Sequence, residues 1–375
     1  MYDDFRSFNL KSNKQYKKIV IAGGGTGGHI YPGVAIAKTI EKLDKNIEVV
    51  FVGSALGLET KIIPREGFSL VLLPAGKLNY SGGFINKIKT FFKLPMAFVK
   101  SAYWLIVNRP LFVLGVGGYA SGPFVAVASL LKFKTAIWEP NAHPGLTNRW
   151  LSKIVNKAYY VFDESAPYFS CRQKQKVGLP VRQELESLEP VAREDNDFHV
   201  LVFGGSQGSK YLNDVIEKMV IAEASWLHKG RLIHQTGVND YSQINEKYKQ
   251  SVFHVQAYEY LHEMNKYYEW ADLVICRSGA STVAELAAVG KPAILIPLPT
   301  SADDHQLKNA KAVADQGAAI LLEQKNLTGE QLQKIILNLQ NDKIKLKNMS
   351  EKMKSLHAAR AAEEISKNIL KEITQ

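Results

Sequence analysis

The sequence predicts an α/β chain built from two tandem parallel sheets, each wound on both faces by helices. Two observations predict it. Short apolar runs alternate along the chain with helix-periodic segments, the pattern of buried parallel strands joined by crossover helices. A strand, glycine turn and helix near the start, KKIVIAGGGTGGHIYP, is restated past the middle as FHVLVFGGSQGSKYLNDVI. The theme therefore begins twice, and 375 residues divide into two Rossmann-like domains.

The first strand is KKIVIA, and PGVAIAKTIEKL after the glycines is helical, with Val34, Ile36, Ala37, Ile40 and Leu43 approximating one face. IEVVFVGS is a second strand, followed by a helix and then the strand SLVLLPA; LFVLGVGG and KTAIWEP continue the sheet. The run Phe112 to Leu131 is uncharged and long enough to raise a membrane span. Gly115, Gly117, Gly118, Gly122 and Pro123 punctuate it as strand, turn and helix instead. RQELESLEPVAREDND breaks the texture with charge and a proline, as a boundary segment does. RLIHQTG, FHVQAY, ADLVICRSG and PAILIPLP are the strand candidates of the second half. The expected boundaries are a flexible tail at 1–16, an N-terminal domain at 17–183, a linker at 184–197 and a C-terminal domain at 198–345. A Lys/Glu/Ala-rich helix at 346–375 is able to pack back on the N-terminal domain.

Composition narrows the function. The net charge is +11, which favours anionic partners. No zinc finger or aromatic-studded basic repeat accompanies it, so lipid headgroups or nucleotide phosphates rank above nucleic acid. Cys171 and Cys276 are far apart and lack metal spacing, which fits buried thiols in a reducing compartment. The first eighteen residues are polar, without the apolar core of a secretory signal.

Ligands of open α/β sheets sit beyond the carboxyl ends of the strands, so the loops there carry the chemistry. Gly23, Gly25 and Gly28 satisfy G-x-G-x-x-G, a weak dinucleotide signal taken alone. The second strand ends FVGS, without the acid that would hold a ribose, and no Gly-Lys-Ser/Thr follows the glycines. What remains is a helix N-terminus with bare amides, suited to an anion or a polar ligand. His29 stands in that first turn, where the helix dipole disfavours imidazolium and suits a general base. Gly204–Gly208 repeats the arrangement with Ser206 beside it, and reads equally as turn or as phosphate contact. CRSGASTVAEL offers a third such N-terminus. Thr282-x-x-Glu285 there has the spacing of a capping box, which competes with Glu285 accepting ribose hydroxyls. Asp303 and Asp304 before His305 read as helix-start acids rather than metal ligands. Gln306 is either a sugar contact or a solvated helix residue. Tyr119, Glu139 and Asn141 lie in loops on the ligand edge of the first half. Phe84, Ile85, Ile88, Phe91 and Phe92 recur at helical spacing with Lys87, Lys89 and Lys93 between them, as in a core stripe or in a helix lying on an anionic membrane.

Seven segments in order resemble a GT-B glycosyltransferase: GGTGGHIYP, GVGGYASGP, EPNAHPGLTNR, GLPVR, GGSQGSKYLN, CRSGASTVAEL and ADDHQLKNA. Within that class they resemble the MurG family, the N-acetylglucosaminyltransferases of peptidoglycan synthesis, from about Lys17 to the final helix. The resemblance implies inverting transfer of N-acetylglucosamine from UDP-GlcNAc to the C4 hydroxyl of the muramyl sugar of lipid I, giving lipid II. Lipid I is an undecaprenyl-diphosphate-linked muramyl pentapeptide. No cofactor and no active-site metal are implied. The implied location is peripheral, on the cytoplasmic face of the bacterial inner membrane, in company with other cell-wall synthesis proteins. Three other classes stay in view: a different UDP-sugar enzyme of the same fold, such as a lipid glycosyltransferase or a UDP-GlcNAc epimerase; a nicotinamide dehydrogenase, which the missing ribose acid disfavours; and a non-catalytic sugar-nucleotide-binding scaffold, for which no sequence feature speaks.

By matched position the resemblance puts Thr26, Gly27 and Gly28 near the donor sugar and diphosphate, and Asn141 on the donor sugar. Arg182 and Ser206 fall on the nucleotide diphosphate, and Leu261 meets uracil through its backbone. Ala280, Ser281, Thr282, Val283, Ala284 and Glu285 form the UDP-binding helix start, with Glu285 on ribose, and Gln306 holds sugar hydroxyls. His29 is the implied base, Glu139 the alternative, and Tyr119 faces the acceptor. The chain departs from the family where Pro140 replaces a glutamine and Leu179 replaces an asparagine.

Overall fold

The computed structural model describes residues 16–374 except 26, 56, 75–83, 119, 182, 187, 189–194, 206, 302 and 303, and gives the backbone alone at 84–93, 183 and 326. Two compact units are present: the chain up to Pro180 together with Arg360 onward, and Val181–Ala359.

The first unit runs β1 (Lys17–Gly23), α1 (Gly27–Leu43), β2 (Ile47–Ser54), α2 (Glu59–Arg65), β3 (Ser69–Leu73), α3 (Phe84–Asn108), β4 (Phe112–Gly117), α4 (Ser121–Leu130), β5 (Thr135–Glu139), α5 (Leu146–Leu151), β6 (Lys157–Tyr160) and β7 (Gln173–Lys176). Its described strands form one parallel sheet in the order β3-β2-β1-β4-β5-β6-β7. Ile19, Val20, Ile21 and Ala22 of β1 are fully buried, because helices cover both faces of a parallel sheet. The apolar run at Phe112 to Leu131 is β4 and α4, separated by the glycine turn. Among the described residues no helix is long and apolar enough to cross a membrane.

The second unit runs α6 (Gln183–Glu186), β8 (Phe198–Phe203), α7 (Lys210–Ile221), β9 (Gly230–Gln235), α8 (Tyr241–Lys249), β10 (His254–Tyr258), α9 (Met264–Trp270), β11 (Leu273–Cys276), α10 (Ala280–Val289), β12 (Ala293–Leu295), α11 (His305–Asp315), β13 (Ala319–Leu321), α12 (Gly329–Asn341) and α13 (Lys343–Ser355). Its described strands are again parallel, ordered β10-β9-β8-β11-β12-β13. A capping box does occur here, at Thr328 and Gln331 before α12.

The segment from 346 onward is not one helix. α13 ends at Ser355, Arg360 takes a left-handed φ of 59°, and α14 (Ala361–Thr374) follows with the first unit. Ala361, Ile365 and Ile369, one helical turn apart, are buried, and Ser366 Oγ donates to the Ile36 carbonyl of α1 at 3.3 Å. β6, β7 and β13 are strands additional to the expected ones, and β13, though apolar, is only three residues long. Gln173–Lys176 is an edge strand of alternating Gln and Lys, whose solvated side chains hide it.

In each unit the strand order reverses between the first strand and the one paired on its other side, β1 with β4 and β8 with β11. The loops leaving those four strands are the glycine loops of the sequence, so each loop pair lies at a topological switch point.

Candidate active site

At the switch point of the first unit, the turn after β1 is fixed from two sides. Gly24 N–H donates to the Gly117 carbonyl at 3.2 Å, tying it to the loop after β4. Gly25 N–H donates to Glu59 Oε2 at 2.7 Å. Glu59 Oε1 also accepts from Ser54 N–H and Ser54 Oγ, both at 2.8 Å. The carboxylate fills space that side chains at Gly24 and Gly57 would occupy: added Cβ atoms would lie 2.4 Å from Glu59 Cδ and 1.9 Å from Oε2. An acid is therefore present beside the second strand, five residues past its end, and the protein itself uses it.

His29 lies in the first turn of α1, half-buried, with Nδ1 buried. Its ring packs on Gly117, where a Cβ would sit 2.9 Å from Cε1 and 3.0 Å from Nδ1. Gly117 has φ 95°, so a side chain there would be both strained and in collision. Gly27 and Gly28 are half-buried in the same turn.

Glu139, the alternative base, is enclosed by its own loop. It is 2% exposed at the end of β5, and its carboxylate accepts from Asn141 N–H (3.0 Å), Asn141 Nδ2 (2.9 Å), Gly145 N–H (3.2 Å) and Asn148 Nδ2 (2.9 Å). Desolvation raises its pKa while those four bonds favour the anion. With its oxygens satisfied inside the loop, Glu139 anchors residues 140–148 and holds the Asn141 side chain in place.

In the second unit, the turn after β8 is held by an amide. Gln235, at the end of β9, donates from Nε2 to the Gly205 carbonyl at 2.9 Å and accepts from Leu261 N–H on Oε1 at 3.1 Å. Leu261, expected to meet uracil through its backbone, is buried, and its N–H is held by Gln235. Asn213 of α7 donates from Nδ2 to Thr236 O (2.8 Å) and Asp240 Oδ2 (2.7 Å), which turns its Oδ1 toward His234 Nε2 at 3.1 Å. His234 Nε2–H is thus the donor, and Nδ1 accepts from Tyr248 Oη at 2.9 Å. Burial pulls the His234 pKa from 6.5 down to about 3, so the ring stays neutral.

α10 starts after Gly279, its N-cap residue, and no side chain caps it. The capping box that the spacing allowed at Thr282 is absent because the helix begins two residues before it, at Ala280, so Thr282 and Glu285 both stand inside it. Glu285 is half-buried and accepts from Tyr268 Oη at 3.0 Å. Ala280 and Val283 turn into the core and offer a ligand only backbone, whereas Ser281, Thr282 and Ala284 are half-buried. Asp304 sits at the N-cap of α11 with φ 54° and makes no side-chain cap, contrary to the expectation for it. Gln306 Oε1 accepts from Leu298 N–H at 3.0 Å, and Ser278 Oγ donates to the Gln306 carbonyl at 2.8 Å, which fastens α11 to the loop after β11. Among the described residues, no group of three or more His, Cys, Asp or Glu could hold a metal ion. Burial pushes both thiols up, so neither is a ready nucleophile.

Thr26, Tyr119, Arg182, Ser206 and Asp303 lie outside the described residues. The side chains of Phe84, Ile85, Lys87, Ile88, Lys89, Phe91, Phe92 and Lys93 do too, although their backbone is the start of α3. Glu59, Gln235 and Tyr268 escaped the sequence reading. The one signal for Glu59 was a single acid among glycines in GSALGLE; the other two carry no local mark.

Two doubly wound parallel units, each with glycine loops at its own switch point, define a GT-B glycosyltransferase. Residues 19–160 match the glycosyltransferase family 28 N-terminal domain and residues 199–365 the family 28 C-terminal domain. The UDP-N-acetylglucosamine--N-acetylmuramyl-(pentapeptide) pyrophosphoryl-undecaprenol N-acetylglucosamine transferase of Bdellovibrio bacteriovorus is 46% identical over 354 residues, 94% of this chain and 99% of that protein. The enzyme of the same name from Myxococcus xanthus is 40% identical over 93% of this chain and 91% of its own length. The crystal structure of Acinetobacter baumannii MurG superimposes with a TM-score of 0.79 at 28% identity, covering 95% of this chain and 99% of that one. The chain belongs to the MurG family of N-acetylglucosamine transferases.

Proposed function

We propose that this protein transfers N-acetylglucosamine from UDP-GlcNAc to the C4 hydroxyl of the muramyl sugar of lipid I, with inversion, to give lipid II. The observation that carries the reading is the 46% identity to a relative of that name, which spans 94% of this chain and so both units. His29 accepts the hydroxyl proton as the C4 oxygen attacks the anomeric carbon and the bond to UDP breaks. Nδ1 is buried against Gly117, so Nε2 takes the proton. Charge developing on the departing diphosphate is met by the α10 N-terminus and by amides of the turn after β8, and the resemblance assigns Arg182 and Ser206 to the same diphosphate. Glu285 receives the ribose hydroxyls, Leu261 lines the base, and Gln306 and Asn141 contact the sugar.

The acceptor's lipid places the enzyme at an anionic membrane surface, peripherally, on the cytoplasmic side. α3 supports this by facing the wrong way for a soluble helix. Ala97, Ser101 and Leu105 are its fully buried side, while Val99, Tyr103 and Ile106 are 68%, 64% and 56% exposed and form a continuous apolar stripe. The apolar and basic residues expected to meet the membrane at 84–93 precede it in the same helix. The rival, another UDP-sugar enzyme such as an epimerase, has no need of such a face.

UDP release measured with UDP-GlcNAc and a lipid I analogue tests the reaction; release that ignores the lipid discards the transferase reading. Replacing Val99, Tyr103 and Ile106 with serine is expected to lower binding to vesicles of 30% anionic lipid by about tenfold. Unchanged binding by the folded variant removes the membrane role of this face.

A further inference from the structure

Glu59 is an acid that the proposed reaction does not use. It is 1% exposed. An acid in the first turn of a short helix ordinarily stays at the surface as a partner for the helix dipole. Burying its charge is unfavourable unless the oxygens are fully engaged. Here three donors engage them, and one, Gly25 N–H, lies 34 residues away in the glycine turn. Hydrogen bonds to an ionised acceptor are roughly twice as strong as neutral ones. Three glycines, Gly24, Gly53 and Gly57, leave the carboxylate its room. Four residues past Gly25 stands His29, whose ring is seated on Gly117, and Gly24 N–H is bonded to the Gly117 carbonyl. The turn is therefore clamped between Glu59 on one side and the loop after β4 on the other.

We infer that Glu59 is a positioning residue for the transfer step: it holds the Gly23–Gly28 turn through the Gly25 N–H and thereby sets where His29 meets the acceptor hydroxyl. The inference rests on the transferase reading above. It differs from a purely structural role in what the loss of the clamp does. Relaxing the turn moves His29 relative to the acceptor, which lowers turnover, and leaves the donor contacts of the second unit in place.

Glu59→Gln separates the two. A glutamine amide has one oxygen, which accepts up to two bonds, and one NH2, which only donates. Ser54 presents two donors to the Oε1 side, so the amide oxygen stays there and the amide NH2 faces Gly25 N–H, cutting that bond alone. In the full-length protein, kcat for UDP release with a lipid I analogue is expected to fall about 100-fold, with the UDP-GlcNAc KM within about threefold of the native value. Amide-resolved hydrogen exchange is expected to accelerate at 23–28 and to stay unchanged in β1, β2 and β4. A kcat within about twofold of native overturns the inference, and so does faster exchange spread equally over those strands. If Glu59→Gln does not fold, the native protein decides: a Gly25 amide as protected as β1 supports the clamp, and one exchanging like an open loop removes it. Native protein that releases no UDP counts against the transferase reading, while the exchange result still judges the clamp.

Discussion

The two glycine turns look alike in sequence and are anchored by opposite chemistry. The turn after β1 gives an N–H, that of Gly25, to a buried carboxylate. The turn after β8 receives a bond on its Gly205 carbonyl from the neutral amide of Gln235. The difference bears on what each turn can hold. Spending the Gly25 N–H on a buried carboxylate leaves the first turn one donor fewer for a ligand, and Gly27 and Gly28 remain the part of it expected near the donor. Anchoring through the Gly205 carbonyl adds no charge and takes no N–H for the anchor itself, although Gly208 N–H also donates to that carbonyl at 2.9 Å. The contrast supports donor diphosphate on the second unit, with the first turn kept rigid for His29.

Four experiments can break or sharpen this contrast. The largest effect is expected from His29→Ala, which should lower turnover by about 100- to 10,000-fold while UDP affinity, read by calorimetry, changes little. Near-native turnover would remove His29 as the base. Next, Gln235→Glu gives the second turn an anchor like that of the first. It keeps an acceptor for Leu261 N–H, loses the donor to Gly205 O and adds a charge, so UDP should bind about 10- to 100-fold more weakly. Unaltered affinity would mean that the anchor's charge is irrelevant.

The third concerns the neutral histidine beneath the second turn. His234 has a folded pKa of about 3 against 6.5 for the free group, so between those values the unfolded chain binds the extra proton. Its contribution is fully present above pH 6.5 and declines as pH falls toward 3. At pH 5 the loss is about 2 kcal/mol. Urea unfolding of the native protein and of His234→Gln across this range should show a shallower acid slope in the variant. The smallest effect is expected from Tyr268→Phe, which removes one hydrogen bond to Glu285 and should weaken UDP binding by about fivefold, near 1 kcal/mol.

Much of the scaffold was legible because parallel strands buried on both faces are apolar runs, as β4 and β11 are throughout, β1 from Ile19 and β8 from Val200. The edge strand β7 was not legible, since Gln173–Lys176 is solvated and has no apolar signature, whereas the edge strands β3 and β10 were. The glycine turns and His29 could be found for a related reason: bare backbone at a strand end has few other uses. Glu285 could not be settled by spacing, because a capping box and an in-helix acid share the same interval. Only the helix start at Ala280, set by packing of Ala280 and Val283 into the core, separates them.

The sequence by itself determined two parallel-sheet halves, the positions of their ligand loops and the family. These follow from local patterns: periodicity, glycine at strand ends and ordered motifs. Tertiary structure alone decided what holds the loops. Glu59 reaches Gly25 across 34 residues, Gln235 reaches Leu261 across 26, and Glu139 is closed off by Asn148 nine residues on. A buried polar group must find its partners wherever the fold puts them. No local pattern records that choice.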